Sequence, residues 1–156
     1  MLSKNVQDTA KIAEVFLEKI LKSRKDKLGA TIVGLSGELG AGKTAFTQSI
    51  AKHLGVKKKV ISPTFVIIKK YLIRPPRPSG TPPSQGEKYK FLFHIDAYRL
   101  KNEKELLHLG WEDIISNEEH LVFIEWPENV SKIMPAHARY IYISGNEKGH
   151  RNLKLK

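Results

Sequence analysis

The sequence predicts one α/β domain over residues 1–156, with a central, mainly parallel sheet flanked by helices and an added β-hairpin. Three observations predict this class. An apolar, β-branched run at 30–35 leads through a glycine-rich turn into a helix that starts near Lys43. A second apolar run at 121–124 has the form of another buried strand. Two further strand patterns, at 65–73 and 89–95, follow each other as hairpin partners.

The remaining elements follow from apolar periodicity. Residues 6–21 carry apolar side chains at helical spacing and predict an amphipathic helix, and a second helix is expected over 43–53. A third is predicted over 102–116, with Leu106, Leu107 and Leu109 facing inward and Gly110 inside it. Short strands are expected at 140–143 and 153–155. No internal repeat or domain boundary is visible.

Composition limits the classes of function. The formal net charge is +11, and between Lys57 and Lys90 there are nine basic residues and one acidic residue. A basic face attracts the phosphates of nucleotides or RNA, and it serves solubility equally well. The absence of cysteine excludes disulfides and thiolate metal sites. The apolar runs are too short to span a bilayer and no signal peptide is visible, so a cytoplasmic protein without a membrane segment is expected.

A proline-rich stretch interrupts the predicted hairpin. Residues 74–86 hold five of the eight prolines, together with Ser, Gly and Thr. This composition predicts an extended surface loop. It is either a neutral insertion or a wider basic surface that faces a partner or RNA.

The segment 37–44 is an intact G-x-x-x-x-G-K-T motif. Its glycines let backbone N–H groups point at phosphate oxygens, and the helix that follows favours anions at its start. Lys43 would reach the β- and γ-phosphates of ATP, and the Thr44 hydroxyl would bind Mg²⁺. The alternative is a glycine-rich turn without a ligand. The residues predicted to contact the nucleotide here are Gly37, Leu39, Gly40, Ala41, Gly42, Lys43 and Thr44.

Acidic and hydroxyl side chains at strand ends complete the predicted site. Glu125 ends an apolar strand and would bind Mg²⁺ together with Thr44. The alternative is an acidic residue without a metal role, at the point where the strand emerges from the core. Asp96 ends another and would orient water or bind Mg²⁺ through water; otherwise it caps a turn or helix. Thr64 would sense the γ-phosphate, unless Pro63 only fixes a turn. Catalytic candidates are therefore Asp96, Thr64 and Lys43.

Tryptophan and histidine are the other residue types that could contribute to the site. Trp126, directly after Glu125, would cap the nucleotide pocket, contact a partner or simply pack. The six histidines show no metal-ligand spacing, so none is predicted to bind metal.

Five short motifs, in this order, resemble those of the TsaE family of P-loop ATPases. They are SGELGAGKT at 36–44, SPTF at 62–65, HIDAYR at 94–99, ELLHLG at 105–110 and IEWP at 124–127. The resemblance covers about residues 9–143, and Ala97 stands where the family usually has leucine. It implies Mg²⁺ held by Thr44 and Glu125, a role in hydrolysis for Asp96 and a switch role for Thr64. By alignment it also implies contacts to the nucleotide base from Val6 and His150.

The resemblance also implies a pathway and partners. It suggests an ATPase, slow alone, that supports the synthesis of threonylcarbamoyladenosine in tRNA. TsaB-like and TsaD-like proteins would be its partners, and contact with tRNA would be indirect or through the basic surface. Two other functions fit the motifs: a small P-loop kinase with an arginine-bearing lid at 74–77, or a nucleotide-dependent docking switch without catalysis.

Overall fold

The computed structural model describes residues 1–22, 29–73, 89–146 and 149–156. The proline-rich stretch at 74–86 lies outside the described residues, so its prediction as a surface loop stays a prediction. Within the described parts of the chain, no helix is both long enough and apolar enough to cross a membrane.

Helices and strands alternate along the chain. The helices are α1 (Val6–Lys22), α2 (Lys43–His53), α3 (Glu103–His108) and α4 (Trp111–Ser116), and a 3₁₀ helix spans Pro127–Ile133. The strands are β1 (Leu2–Ser3), β2 (Thr31–Ser36), β3 (Ile68–Leu72), β4 (Phe91–Asp96), β5 (His120–Glu125), β6 (Arg139–Gly145) and β7 (Arg151–Leu155).

The described strands form one seven-stranded sheet in the order β1-β7-β6-β2-β5-β4-β3. Its centre is parallel, because β2 pairs in parallel with both β5 and β6, and β4 pairs in parallel with β5. The pairs β3–β4, β6–β7 and β1–β7 are antiparallel. The predicted α/β class with an added hairpin is therefore confirmed.

Helices cover both faces of the sheet. Phe16 of α1 and Phe46 of α2 pack edge to face at 5.8 Å, and Phe46 also lies 6.4 Å from Phe123 of β5. On the other face, Trp111 of α4 is buried in a second hydrophobic cluster, to which Ile124 of β5 also belongs. Alternate residues of the central strands supply both cores, as expected for a sheet that is buried on two sides.

The sheet brings three strand ends to one edge. In parallel strands the carboxyl ends lie together, and the residues after β2, at the end of β4 and at the end of β5 meet there. Asp96 of β4 stands directly opposite Glu125 of β5, and Glu125 stands opposite Leu35 of β2. The register therefore places both acids beside the loop that follows β2.

The prediction of one helix over 102–116 was wrong. Gly110 adopts a left-handed conformation with φ of 85°, which ends α3 and starts α4 in a new direction. Leu106 is buried, whereas Leu107 is only partly buried and Leu109 is 46% exposed. The predicted inward position is therefore right for Leu106 and wrong for Leu109.

The predicted strand at 65–73 begins later than expected. The carbonyl of Pro63 accepts the N–H groups of both Val66 and Ile67, so the chain turns before β3 starts at Ile68. Phe65 is consequently 85% exposed instead of lying in the sheet. Two elements, β1 and the 3₁₀ helix at 127–133, were not predicted at all.

Candidate functional site

The loop between β2 and α2 has the backbone that the glycine-rich motif predicts. Gly37 has φ of 150°, and a Cβ there would lie 2.2 Å from the carbonyl oxygen of Ile143, so only glycine fits. Gly42 has φ of 103° and forms the N-cap of α2 without a side-chain cap. The first turn of α2 holds no acidic residue. The free N–H groups at the start of the helix therefore remain available to an anion.

Lys43 lies over this loop and is almost fully buried. Its Nζ donates to the carbonyls of Gly37 at 2.6 Å and Glu38 at 2.9 Å, and it lies 3.9 Å from the centre of the Trp126 ring. Burial lowers the pKa of Lys43, against the opposing effect of the nearby Glu125, which is the largest of several carboxylate contributions. The ammonium is thus held at the cleft by two backbone carbonyls of the loop.

Glu125 is the point where three elements meet. Its Oε1 accepts a hydrogen bond from the Thr44 hydroxyl at 2.8 Å and lies 2.8 Å from Nε2 of His94. A hydroxyl oxygen beside a carboxylate oxygen is a donor set that suits a hard cation such as Mg²⁺. The residues present therefore fit the metal that the motif implies.

The sequence alone predicts no role for His94. It is fully buried in β4, and because the carboxylate of Glu125 can only accept, Nε2 carries the hydrogen of this contact. Its Nδ1 has no hydrogen-bond partner within the described residues. The contact fixes the position of the Glu125 carboxylate. Sequence spacing could not reveal it, because it depends on the register of β4 against β5.

Asp96 is held by a different set of groups. Its Oδ2 accepts from the Thr64 hydroxyl at 2.6 Å, and its Oδ1 accepts from the backbone N–H of Tyr98 at 2.9 Å. The Ser62 hydroxyl lies 2.6 Å from that of Thr64. Thr64 and Asp96 were predicted as separate candidates, and the structure brings them into direct contact.

The backbone that carries Thr64 is strained nearby. Ile67 has φ of 63°, which is rare for a β-branched residue, and its carbonyl accepts the N–H of Asp96 at 2.9 Å. Such strain concentrates at sites that bind ligands or switch. The turn before β3 is therefore anchored to the strand that ends in Asp96.

These groups line one open cleft of about 560 Å³. Trp126, also at positive φ, forms part of its wall and packs against Tyr98 with the ring centres 5.0 Å apart. Trp126 thus lies at the cleft and also packs on its neighbours, so its role in capping a nucleotide stays a prediction. The cleft is lined by Leu39, Gly40, Gly42, Lys43, Thr44, Ala45, Gln48, Ser62, Thr64, Asp96, Tyr98, Arg99, Glu125 and Trp126.

Several predicted contact residues lie elsewhere. Gly37 and Ala41 belong to the loop but do not line the cleft, since Ala41 is buried and Gly37 packs on β6. Val6 is 69% exposed at the start of α1, and His150 precedes β7. The pairing of β1 with β7 brings the two chain segments together, but neither Val6 nor His150 lines the cleft. Their contact with a base stays a prediction.

Comparison with known proteins gives the family. Residues 3–153 match the family described as threonylcarbamoyl adenosine biosynthesis protein TsaE. The chain is 30% identical over 135 residues to the tRNA threonylcarbamoyladenosine biosynthesis protein TsaE of Rickettsia felis, covering 86% of this chain. It is 34% identical over 120 residues to the protein of that name from Haemophilus influenzae, covering 77% of this chain.

The lengths of these relatives differ from that of this chain. The aligned regions span 66% of the Rickettsia protein and 65% of the Haemophilus protein, just under two thirds of each. The crystal structure of Bacillus subtilis YdiB is similar in fold, with a TM-score of 0.67 at 25% identity, over 99% of this chain and 82% of that one. Since the family match extends over almost all of the sequence, this chain belongs to the TsaE family.

Proposed function

We propose that the protein binds ATP with Mg²⁺ and hydrolyses it in support of the complex that makes threonylcarbamoyladenosine in tRNA. One observation carries the proposal: a single cleft joins a glycine-rich loop and its lysine to two differently held carboxylates, Glu125 and Asp96. A cleft built only for docking needs neither acid, because holding carboxylates beside phosphates is unfavourable without a compensating cation.

The glycine-rich loop and the start of α2 would bind the phosphates. The start of α2 has free N–H groups, no side-chain cap and no acidic residue in its first turn. The buried ammonium of Lys43 adds a full charge at the same place. Together they favour a polyphosphate over a neutral ligand.

Thr44 and Glu125 would hold the Mg²⁺. Within the described residues no three His, Cys, Asp or Glu side chains are grouped as a complete metal site. The remaining ligands would then be phosphate oxygens and water, which is usual for Mg²⁺ at nucleotide sites. When bound, the ion would neutralise charge that develops on the β- and γ-phosphate oxygens. His94 would keep the Glu125 carboxylate directed at it.

Asp96 and Thr64 would act at the γ-phosphate end. The N–H of Tyr98 fixes one oxygen of Asp96, and the Thr64 hydroxyl holds the other. A carboxylate held in this way can accept a proton from water, or orient it, once Thr64 has turned toward the nucleotide. The contact between Thr64 and Asp96 therefore supports a switch that responds to the γ-phosphate.

The pathway and partners are proposed from the family. The matched family and the relatives carry names from tRNA threonylcarbamoyladenosine biosynthesis. We propose TsaD-like and TsaB-like proteins as partners in the cytoplasm, with tRNA contacted indirectly or through the basic surface. Leu39 at the cleft and the nearby Phe65 are 77% and 85% exposed, and exposed apolar side chains of this kind suit a protein partner.

ATP hydrolysis, measured alone and with TsaB-like and TsaD-like proteins of the same organism, tests the proposal. Slow release of phosphate alone and a change in rate with the partners are expected. Lys43→Ala should lower ATP affinity by more than about 10-fold, because it removes the main point charge on the phosphates. An affinity that stays within about threefold of the parent would refute the nucleotide site.

The same assay separates the two rival functions. A kinase would transfer phosphate to a metabolite instead of water, which a screen for phosphorylated products would detect. A docking switch would bind ATP and the partners but release no phosphate in either condition. The arginine-bearing stretch at 74–77, on which the kinase alternative rests, lies outside the described residues.

A further inference from the structure

Arg151 lies against the glycine-rich loop from a strand that the motif does not include. It is the first residue of β7, and its side chain packs on Gly42, the N-cap of α2. A Cβ at Gly42 would lie 2.8 Å from Nε of Arg151 and 3.3 Å from Cζ. The guanidinium therefore lies directly against the backbone of the loop at Gly42.

The charge at this position has no visible counterpart. Within the described part of the chain, the Arg151 side chain makes no hydrogen bond or ion pair, although it is half-buried. It lies at the start of α2, which carries the positive end of the helix dipole, and the first turn has no acid. Lys43, the first residue of α2, adds a second positive charge to this end of the helix. Two cationic side chains and the positive end of a helix together attract an anion.

The sheet order shows on which side of the loop Arg151 lies. The strands β6 and β7 are on one side of β2, whereas β5 and β4, with Glu125 and Asp96, are on the other. In the proposed function, the γ-phosphate lies on the side of Asp96 and Thr64. Arg151 does not itself line the cleft, but it lies beside Gly42, which does. From there it would face the part of the phosphate chain that is nearer the nucleoside and remains in ADP.

We propose that Arg151 is a further nucleotide-binding residue, which contacts the phosphates that ATP and ADP share. The proposal rests on the proposed ATP binding, and adds to it a side-chain charge from β7. A guanidinium can donate two parallel hydrogen bonds to one phosphate, so it orients the chain as well as attracting it. Arg151 would thereby hold either nucleotide without taking part in hydrolysis.

Equilibrium titration of the full chain with ATP and with ADP tests this role. Arg151→Gln should lower the affinity for ATP and for ADP by a similar factor, about 10- to 100-fold, since a charge-assisted contact is lost from both complexes. Lys154→Gln is the matched control: it removes the same charge from the same strand at an exposed position three residues on. It should change either affinity by less than about twofold, because exposed charges are screened.

Four results would overturn the proposal. Equal effects of Arg151→Gln and Lys154→Gln would show only a general influence of net charge. A loss of affinity confined to ATP would mean that Arg151 contacts the γ-phosphate instead. A parent protein that binds neither nucleotide would refute the proposed function as well, whereas a parent and an Arg151→Gln variant of equal affinity would refute this inference alone.

A second measurement covers the case in which Arg151→Gln does not fold. The Nε–H resonance of Arg151 can be assigned in the parent by its absence from the spectrum of Arg151→Lys. A shift of this resonance on addition of ADP would support the contact. An unchanged resonance at saturating ADP would overturn it.

Discussion

At the scale of single residues, the two carboxylates of the cleft are held by different partners. Glu125 contacts the Thr44 hydroxyl and the buried His94, whereas Asp96 contacts Thr64 and a backbone N–H. Both are almost fully buried. Because neighbouring groups decide what a carboxylate can do, these contacts support the two different roles proposed, metal binding for Glu125 and contact with a reacting water for Asp96.

Glu125→Gln tests the metal role. The amide keeps the shape of the side chain but removes the charge that a hard cation prefers, so ATP affinity should fall more with Mg²⁺ than without it. Titration of ATP in the presence of Mg²⁺ and in the presence of a chelator measures the difference. Equal losses under both conditions would show that Glu125 serves the fold.

His94→Phe tests whether the histidine positions Glu125. The ring volume stays similar, but the donor to Oε1 is lost. By analogy with partners that orient metal ligands, Mg²⁺ affinity in the ATP complex should fall about 10-fold or more, while Mg²⁺-free ATP binding stays close to that of the parent. His120→Phe is the control. His120 is also buried, but it lies at the opposite end of β5 from Glu125 and hydrogen-bonds the carbonyl of Ile114 instead of the carboxylate. If both variants change Mg²⁺ affinity equally, His94 is only structural.

The sequence predicts some of these residues and misses others for a physical reason. The loop and the strand-end acids can be read from local patterns, because each depends on neighbours within a few residues. The contact of His94 with Glu125 joins residues 31 positions apart and depends on strand register. The approach of Arg151 to Gly42 depends on the order of strands in the sheet. Neither contact can be recognised from a pattern in the neighbouring sequence.

At the scale of elements, helices with strong periodicity were predicted best. The expected helix at 43–53 matches α2, and that at 6–21 matches α1 to within one residue. The strand β1 has only two residues, too few for a pattern. The prediction of one helix over 102–116 was wrong because a glycine inside a helical pattern is compatible with either a continuous helix or a break.

Gly110→Ala tests the break between α3 and α4. Nothing lies within 4 Å of the position that a Cβ would occupy, so the substitution should act through the backbone alone. An L-residue at φ of 85° should lower the free energy of unfolding by about 1 kcal/mol, and Gly110→Asn should lower it less, because asparagine tolerates this conformation. Urea unfolding of the two variants measures both. A fully stable Gly110→Ala protein would mean that the break arises from packing.

At the scale of the whole molecule, the sheet order places different functional candidates on the two sides of the glycine-rich loop. On one side of β2, the strands β5 and β4 end in the two acids; on the other, β6 leads to β7 and Arg151, and β7 pairs with the N-terminal β1. The parallel centre was predictable from apolar runs, but the order of the outer strands was not. A short run of apolar residues specifies a strand without specifying its neighbour.

Asp96→Asn tests how this arrangement serves the assembly. In the proposed complex Lys43 and the loop N–H groups hold the phosphates without Asp96, and an asparagine oxygen can still accept the N–H of Tyr98. ATP affinity should therefore stay close to that of the parent. The loss of a charge that acts mainly in the transition state should instead lower kcat by about 10²- to 10⁴-fold.

The same variant separates docking from turnover. Asp96→Asn should still bind TsaB-like and TsaD-like proteins in the presence of ATP, because the nucleotide and the exposed side chains around the cleft remain. If hydrolysis resets the assembly, the variant should support a first round of tRNA modification but not repeated rounds. Quantifying threonylcarbamoyladenosine per protein complex over time measures this. Repeated rounds at the parent's rate would refute both the role of Asp96 in hydrolysis and the reset, whereas loss of ATP binding would assign Asp96 to the metal or to the fold.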